Sequence, residues 1–289
     1  MSTTHRRVSC LAGVCAALVW GCASPRAPAA PNPGTPEYEV YAIRLGTLKG
    51  VPVSALVPGA EEGRTVDTAF MMWLVRGNGR TILVDSGFHR AEVVAAWHPV
   101  DFVTPVAALG RLGLAPDDVT DVVLTHLHWD HAGGVDLFPR ARVWVQRAEL
   151  EYYAAQASER PANAGVLAED VLPLVALKEQ GRVQLIEGDD RQIGPGITAY
   201  TGGKHTVASQ FVAVATAAGT VVLASDNVFL YENLDRHVPI TMTLDPTSNL
   251  KAQDRMIKIA AEPRLVIPGH DAQVMTRFPP VAPGVVRIR

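Results

Sequence analysis

Cysteine is nearly absent from this chain. Of 289 residues only three are cysteines, Cys10, Cys15 and Cys22, and none lies beyond residue 22. The remaining stretch therefore has no disulfide, no thiolate ligand and no thiol nucleophile, and must be held by its own core and any metal it binds. Basic runs are missing too: Lys and Arg number 26 against 29 Asp and Glu, which leaves no footprint for nucleic acid. No repeat or internal low-complexity segment interrupts residues 37–289, so that stretch reads as one domain. Hydrophobic residues make up 48% of the chain, the composition of a packed globular enzyme rather than a disordered one.

What is present begins with a targeting segment, residues 1–22. His5-Arg6-Arg7 is a positive start, and Val8 to Trp20 is apolar but too short to span a bilayer. It ends in Gly21-Cys22-Ala23-Ser24, which resembles a bacterial lipoprotein cleavage site with Cys22 as the lipidated residue. Trp20 stands where such signals carry a small residue, so cleavage by ordinary signal peptidase to a soluble periplasmic protein stays open. Residues 23–36 carry Pro25, Pro28, Pro31, Pro33 and Pro36, the composition of a stiff tether between an anchor and a domain.

The chain is organised around Thr125-His126-Leu127-His128-Trp129-Asp130-His131-Ala132-Gly133-Gly134. The preceding Asp121 to Thr125 is apolar and β-branched and reads as a buried strand. Four metal-ligand side chains fall within six residues, and His126 and His128, two apart at a strand end, can share one ion. Imidazoles with a carboxylate suit zinc and, less selectively, iron or manganese.

Around it the pattern predicts strands over Tyr38 to Leu45 and Val51 to Val57, separated by Gly46 to Gly50. A hairpin follows from Phe70 to Val84 across Gly77-Asn78-Gly79. Met71-Met72-Trp73 reads as core strand. Helices are expected over Pro105 to Leu112, Ala148 to Ala157 and Val228 to Leu234, and residues 158–180 as a loop and helix over the site. Strands are expected at 142–146, 183–186, 197–200, 211–215, 220–224 and 265–267. Periodicity alone thus gives a mixed α/β chain of many short strands.

His126-x-His128-x-Asp130-His131 is similar to the signature of the metallo-β-lactamase superfamily, and the similarity extends from about residue 38 to the C-terminus. The resemblance implies an α/β fold, the four-layer αββα sandwich, with two metals at the open edge. It implies that His126, His128 and His205 hold one ion, that Asp130, His131 and His270 hold the other, and that Asp226 bridges them. Asp85, in Asp85-Ser86-Gly87, would orient a ligand histidine, although read alone it is equally a turn aspartate. Asp226 read alone is also a helix N-cap.

Two divalent ions sharing a water lower its pKa and give a hydroxide for attack on an ester-like or amide-like bond, with Asp130 or Asp226 passing a proton to the leaving group. Within the superfamily, Asp226 stands where common binuclear β-lactamases carry Cys or Ser. Only 19 residues follow His270, too few for a glyoxalase-II-type substrate domain. The lactonase branch, including acyl-homoserine lactonases, resembles the chain most in Leu109 to Leu114, Thr125 to His131, Asp226 and Gly269-His270-Asp271. Two features depart from it. His205 precedes Thr206-Val207-Ala208-Ser209 rather than a second Gly-His, and Phe229 stands where a carbonyl-donating tyrosine is usual. Tyr231 is therefore expected to reach the cleft in its place. The expectation is a zinc-dependent lactonase acting on a small lactone or ester. The alternatives are hydrolysis of another ester or amide, and an iron-dependent persulfide oxidoreductase with its second site empty.

Overall fold

The computed structural model describes residues 1–2, 38–157, 162–163 and 165–289. The targeting segment and tether expected at 1–36 lie almost wholly outside the described residues, as do 158–161 and 164 of the covering loop. Among the described residues, no helix is long and apolar enough to cross a membrane.

The strands are β1 (Glu39–Pro52), β2 (Thr65–Gly77), β3 (Arg80–Val84), β4 (Asp121–Val123), β5 (Arg142–Gln146), β6 (Ala162–Asn163), β7 (Val166–Leu167) and β8 (Val183–Ile186). They continue as β9 (Arg191–Gly194), β10 (Ile197–Thr201), β11 (Gln210–Thr216), β12 (Gly219–Ser225), β13 (Val266–Pro268), β14 (Pro280–Ala282) and β15 (Val285–Arg287). Eight of them form one sheet in the order β14-β15-β1-β2-β3-β4-β5-β8, and five form a second in the order β13-β12-β11-β10-β9.

The period of two along β2 shows how the layers form. Ala69, Met71, Trp73 and Val75 face one way, into a core shared with Phe211, Val212 and Val222 of the second sheet. Phe70, Met72 and Leu74 face the other way, onto Val93, Leu109, Leu150 and Leu174 of the covering helices. Ala252 and Met256 of the helix Pro246–Ile259 pack on the second sheet. The result is the αββα sandwich. Each fully buried large side chain contributes about 1.5–3 kcal/mol of apolar burial, and Trp73, Met71 and Met72 are all buried.

Two expected elements differ. Val51 to Val57 is not a separate strand. β1 continues through Gly46 to Pro52, paired with β2, and register shifts at Arg44/Gly46 and Leu48/Val51 absorb the glycines as bulges. A single 3₁₀ turn, Val53–Ala55, follows. The helix expected over Val228 to Leu234 begins only at Tyr231 and ends at Asp235. Helices Ala91–Trp97 and Pro246–Ile259 and the C-terminal hairpin β14-β15 were not expected at all.

The topology matters for chemistry because β3 pairs with β4, and β12 with β13, in parallel. Their C-terminal ends therefore open on one edge, where β10 also ends.

Candidate metal centre

Each expected ligand lies just past a strand end. His126 to His131 follow β4, His205 follows β10, Asp226 follows β12 and His270 follows β13. Asp85 (φ 60°), Lys204 (φ 59°) and Ser225 (φ 48°) sit beside them in the left-handed region. Such conformations cost of order 1–3 kcal/mol each and persist where the surroundings over-determine them. The glycine of Gly269-His270 is required by contact: a Cβ there would lie 2.4 Å from Asp226 Oδ1.

The structure brings all seven residues together in two groups, one of His126, His128, His205 and Asp226 and the other of Asp130, His131 and His270. In the first, His128 Nδ1 is 3.0 Å from His126 Nε2 and 2.9 Å from His205 Nε2. Asp226 Oδ2 is 3.4 Å from His205 Nε2 and 3.9 Å from His126 Nε2. In the second, His131 Nε2 is 3.3 Å from Asp130 Oδ2, and His270 Nε2 is 3.7 Å from the same oxygen. Asp226 Oδ1 lies 3.3 Å from His131 Nε2 and 3.1 Å from His270 Nε2. Asp226 Oδ2 is also 3.1 Å from His270 Nε2, so this one carboxylate faces both groups.

The far ring nitrogens of His126, His131, His205 and His270 are held. His131 Nδ1 faces Asp85 Oδ2 at 2.8 Å, His205 Nδ1 the Met242 carbonyl at 2.7 Å, and His270 Nδ1 the Ala69 carbonyl at 3.0 Å. His126 Nδ1 faces the Thr125 hydroxyl at 3.0 Å, which donates to Asp85 Oδ2 at 2.9 Å. These acceptors place the proton on Nδ1 and the lone pair of Nε2 inwards. Asp85 is itself fixed by the Thr125 N–H at 2.8 Å and the Ser225 hydroxyl at 2.9 Å. It does what a turn aspartate would not: it orients a ligand-type histidine.

The arrangement fits metal ions. Inward lone pairs of three imidazoles at such distances repel one another unless a cation lies between them. His131 Nε2 and Asp226 Oδ1 are buried and form no hydrogen bond. Burial, and then the neighbouring His131, hold His126 well below the ordinary histidine range; burial and His205 push His128 down to about 4. Both are thus neutral donors. Burial would also lower His131, but Asp130, Asp226 and Asp85 outweigh it and hold it well above the usual range. Likewise burial would raise Asp226, yet His270 and His131 keep it well below the usual carboxylate range. Metal binding on the second group therefore displaces a proton.

A cavity of about 410 Å³ opens beside the ligands. Its lining joins His128, Asp130, Asp226 and His270 with the apolar side chains of Leu48, Val51, Leu56, Trp97 and Met242. Phe229 also lines it, its ring 5.5 Å from His205 and 5.8 Å from His270.

Tyr231 corrects the sequence expectation. It is 3% exposed, belongs to the core cluster between the sheets, and carries the Arg277 guanidinium 3.7 Å over its ring. Its hydroxyl has no hydrogen-bond partner among the described residues. The late helix start explains this: Asp271 Oδ2 accepts the Tyr231 N–H at 2.9 Å and fixes the backbone with the ring turned inwards. Of the covering segment, Gly165 reaches the site; it lines the cavity and its carbonyl accepts the Trp129 N–H at 3.0 Å.

Reasoning from sequence missed Thr125, Ser225, Glu149 and the Met242 and Ala69 carbonyls. A backbone acceptor carries no side-chain signal, and hydroxyls beside ligands are too common to stand out.

The superfamily's own model, described as the metallo-beta-lactamase superfamily, matches residues 71–270. An N-acyl homoserine lactonase from a Bacillus species is 31% identical over 231 residues, 79% of this chain and 84% of its own length. Human metallo-beta-lactamase domain-containing protein 1 is 30% identical over 169 residues, 57% of this chain and 52% of its own. A B. thuringiensis AiiA variant, solved with N-decanoyl-L-homoserine bound at the active site, superposes with a TM-score of 0.68 at 25% identity. It covers 86% of this chain and 98% of its own. The chain belongs to the metallo-β-lactamase superfamily of metal-dependent hydrolases, and within it is similar to the N-acyl homoserine lactonases.

Proposed function

We propose that the protein is a binuclear zinc lactonase that opens the ring of a lactone carrying an apolar substituent, an N-acyl-homoserine lactone or a relative of one. The observation that carries this reading is Asp226, whose carboxylate faces two complete donor groups beside an apolar cavity. His126, His128 and His205 would hold one ion, Asp130, His131 and His270 the other, with Asp226 between them. Nitrogen and oxygen donors without thiolate suit zinc, and iron or manganese less selectively. When bound, such a pair lowers the pKa of a shared water and polarises an ester carbonyl.

The chain's own groups supply the rest. Four of the imidazoles, those of His126, His131, His205 and His270, are held by Asp85, Thr125 and two carbonyls, so these donors need no rearrangement. Asp130 and Asp226 are the carboxylates in reach of the cleft and carry a proton towards the leaving alkoxide. The apolar wall receives the substituent and excludes water from it. Phe229 donates nothing, and Tyr231 is in the core. Among the lining residues Thr68 carries a hydroxyl and none carries a phenol.

The N-terminal sequence supports export. We propose that residues 1–22 direct it, that Cys22 is lipidated, and that residues 23–36 tether the domain to a membrane facing the periplasm. Labelled lipid on wild type and its loss in Cys22→Ser would support this; a wild type found only soluble would refute it.

The enzymatic reading is tested with zinc-loaded protein on acyl-homoserine lactones of short and long chain, other lactones, aryl esters, a β-lactam and, with dioxygen, a persulfide, following proton release or oxygen uptake. Ring opening of one lactone class well above the other substrates is the expected result. Oxidation of the persulfide by an iron-loaded form, with no hydrolysis, would replace this reading by the oxidoreductase one.

A further inference from the structure

Glu149 is wholly buried near the start of the helix Arg147–Ala157 and is not one of the seven ligand residues. Among the described residues its carboxyl has no cationic partner, and burial, outweighing hydrogen bonds from Thr206, Ala208 and Leu127, pushes it up to about 7. A group so placed is a poor choice for packing alone, since an apolar side chain of similar size would avoid the desolvation cost. Its two oxygens have separate tasks. Oε1 accepts the Leu127 N–H at 3.2 Å, and Oε2 accepts the Ala208 N–H at 2.8 Å.

These donors lie in different loops. Leu127 stands between His126 and His128, and Ala208 stands three residues after His205. Among the described residues neither N–H has a backbone acceptor. The same loops are joined one step earlier, where Gln210 donates from its N–H to the Thr125 carbonyl at 2.8 Å and from Nε2 to the Leu124 carbonyl at 2.8 Å. That tie ends before the histidines begin. Beyond it, Glu149 spans the gap between the two loops that bring three imidazoles to one point. The second group is tied by other carboxylates: Asp85 holds His131, and Asp271, beside His270, accepts the Tyr231 N–H at 2.9 Å.

We propose that Glu149 is a positioning residue for the first metal site: it sets the separation of the His126–His128 turn from His205, and it acts on that site in preference to the second. The inference rests on reading the cluster as a metal centre. A carboxyl group is suited to the task because it offers two acceptors to two donors, whereas an amide offers one acceptor and turns an N–H towards the other donor.

The test uses the full chain loaded with Zn²⁺ or Co²⁺ alone, comparing wild type with Glu149→Gln. Stepwise extraction by a chelator reads each site, and the Co²⁺ absorption spectrum reads its geometry. The expected result is one ion held about 10–100-fold more weakly, the range found when a group supporting a ligand is removed, with the other ion unchanged and the cobalt spectrum altered. Equal weakening of both ions together with a lower melting temperature would mean a structural role only and overturn the proposal. Unchanged retention of both ions would overturn it as well. Should Glu149→Gln not fold, Glu149→Asp, which keeps the carboxyl but withdraws it by one methylene, carries the same comparison. A wild type that fails to bind two ions would overturn the metal-centre reading itself, which distinguishes that failure from this one.

Discussion

The two walls of the cavity are built by opposite rules. On the ligand side nearly every polar atom has a partner of fixed geometry: His131 leans on Asp85, Asp85 on Thr125 and Ser225, and His205 and His270 on backbone carbonyls. Elsewhere in the lining Leu48, Val51, Leu56, Trp97 and Met242 offer apolar side chains, and Trp97 and Met242 are 47% and 55% exposed. The first wall is over-determined and tolerates little change. The second is soft, and substitutions there alter fit rather than chemistry.

The sharpest break in that contrast is Asp226→Ala. One carboxylate serves both groups, so metal content should fall from two ions towards none and turnover by on the order of 10³-fold or more. Elemental analysis and a rate measurement check it; two ions retained at full affinity would refute the bridging arrangement. Next is Asp85→Asn, which replaces the acceptor for His131 by an amide whose N–H can face the ring. Metal retention at the Asp130–His131–His270 group should weaken by roughly 10–100-fold, measured by competition with a chelator.

Effects on the soft wall should be smaller and of another kind. Trp97 stacks on Trp129 with centroids 5.0 Å apart. Trp97→Ala removes part of the surface offered to a substituent, at a cost of about 1 kcal/mol, or roughly fivefold, in KM for a long-chain lactone. Because this contact is made alike in ground and transition states, kcat should hold. A fall in kcat with unchanged KM would place Trp97 on the chemical side. Smallest of all is Tyr231→Phe. The hydroxyl is buried without a partner, so its removal should leave kcat/KM unchanged and stability equal or raised by up to about 1 kcal/mol. A lost rate would return Tyr231 to the cleft.

The same contrast governs what could be read from the sequence. The ligand loop was legible because Asp121 to Thr125 is an unambiguous strand and four donors follow it without interruption. His205, Asp226 and His270 were legible only through the family resemblance, since each is a single residue at the end of a short strand. Tyr231 was misread because a helix start moved by three residues, and on a helix three residues carry a side chain through most of a turn. Glu149 gave no signal: a glutamate in the first turn of a helix ordinarily faces water, and only the fold encloses it. The helix Pro246–Ile259 was missed although its start carries a cap pattern, Asp245 before Pro246, and in the structure Asp245 accepts the Ser248 N–H at 3.0 Å. The glycines of β1 misled in the opposite direction, because a bulge keeps a strand continuous where a turn would end it.

The most direct test of the central claim is metal titration of apo-protein followed by lactone hydrolysis at each step. If the two groups joined by Asp226 form one catalytic centre, hydrolysis should stay near background until the second equivalent of zinc binds and reach its plateau at two ions per chain. Full hydrolysis at one equivalent, or two bound ions with no hydrolysis of any lactone, would contradict it.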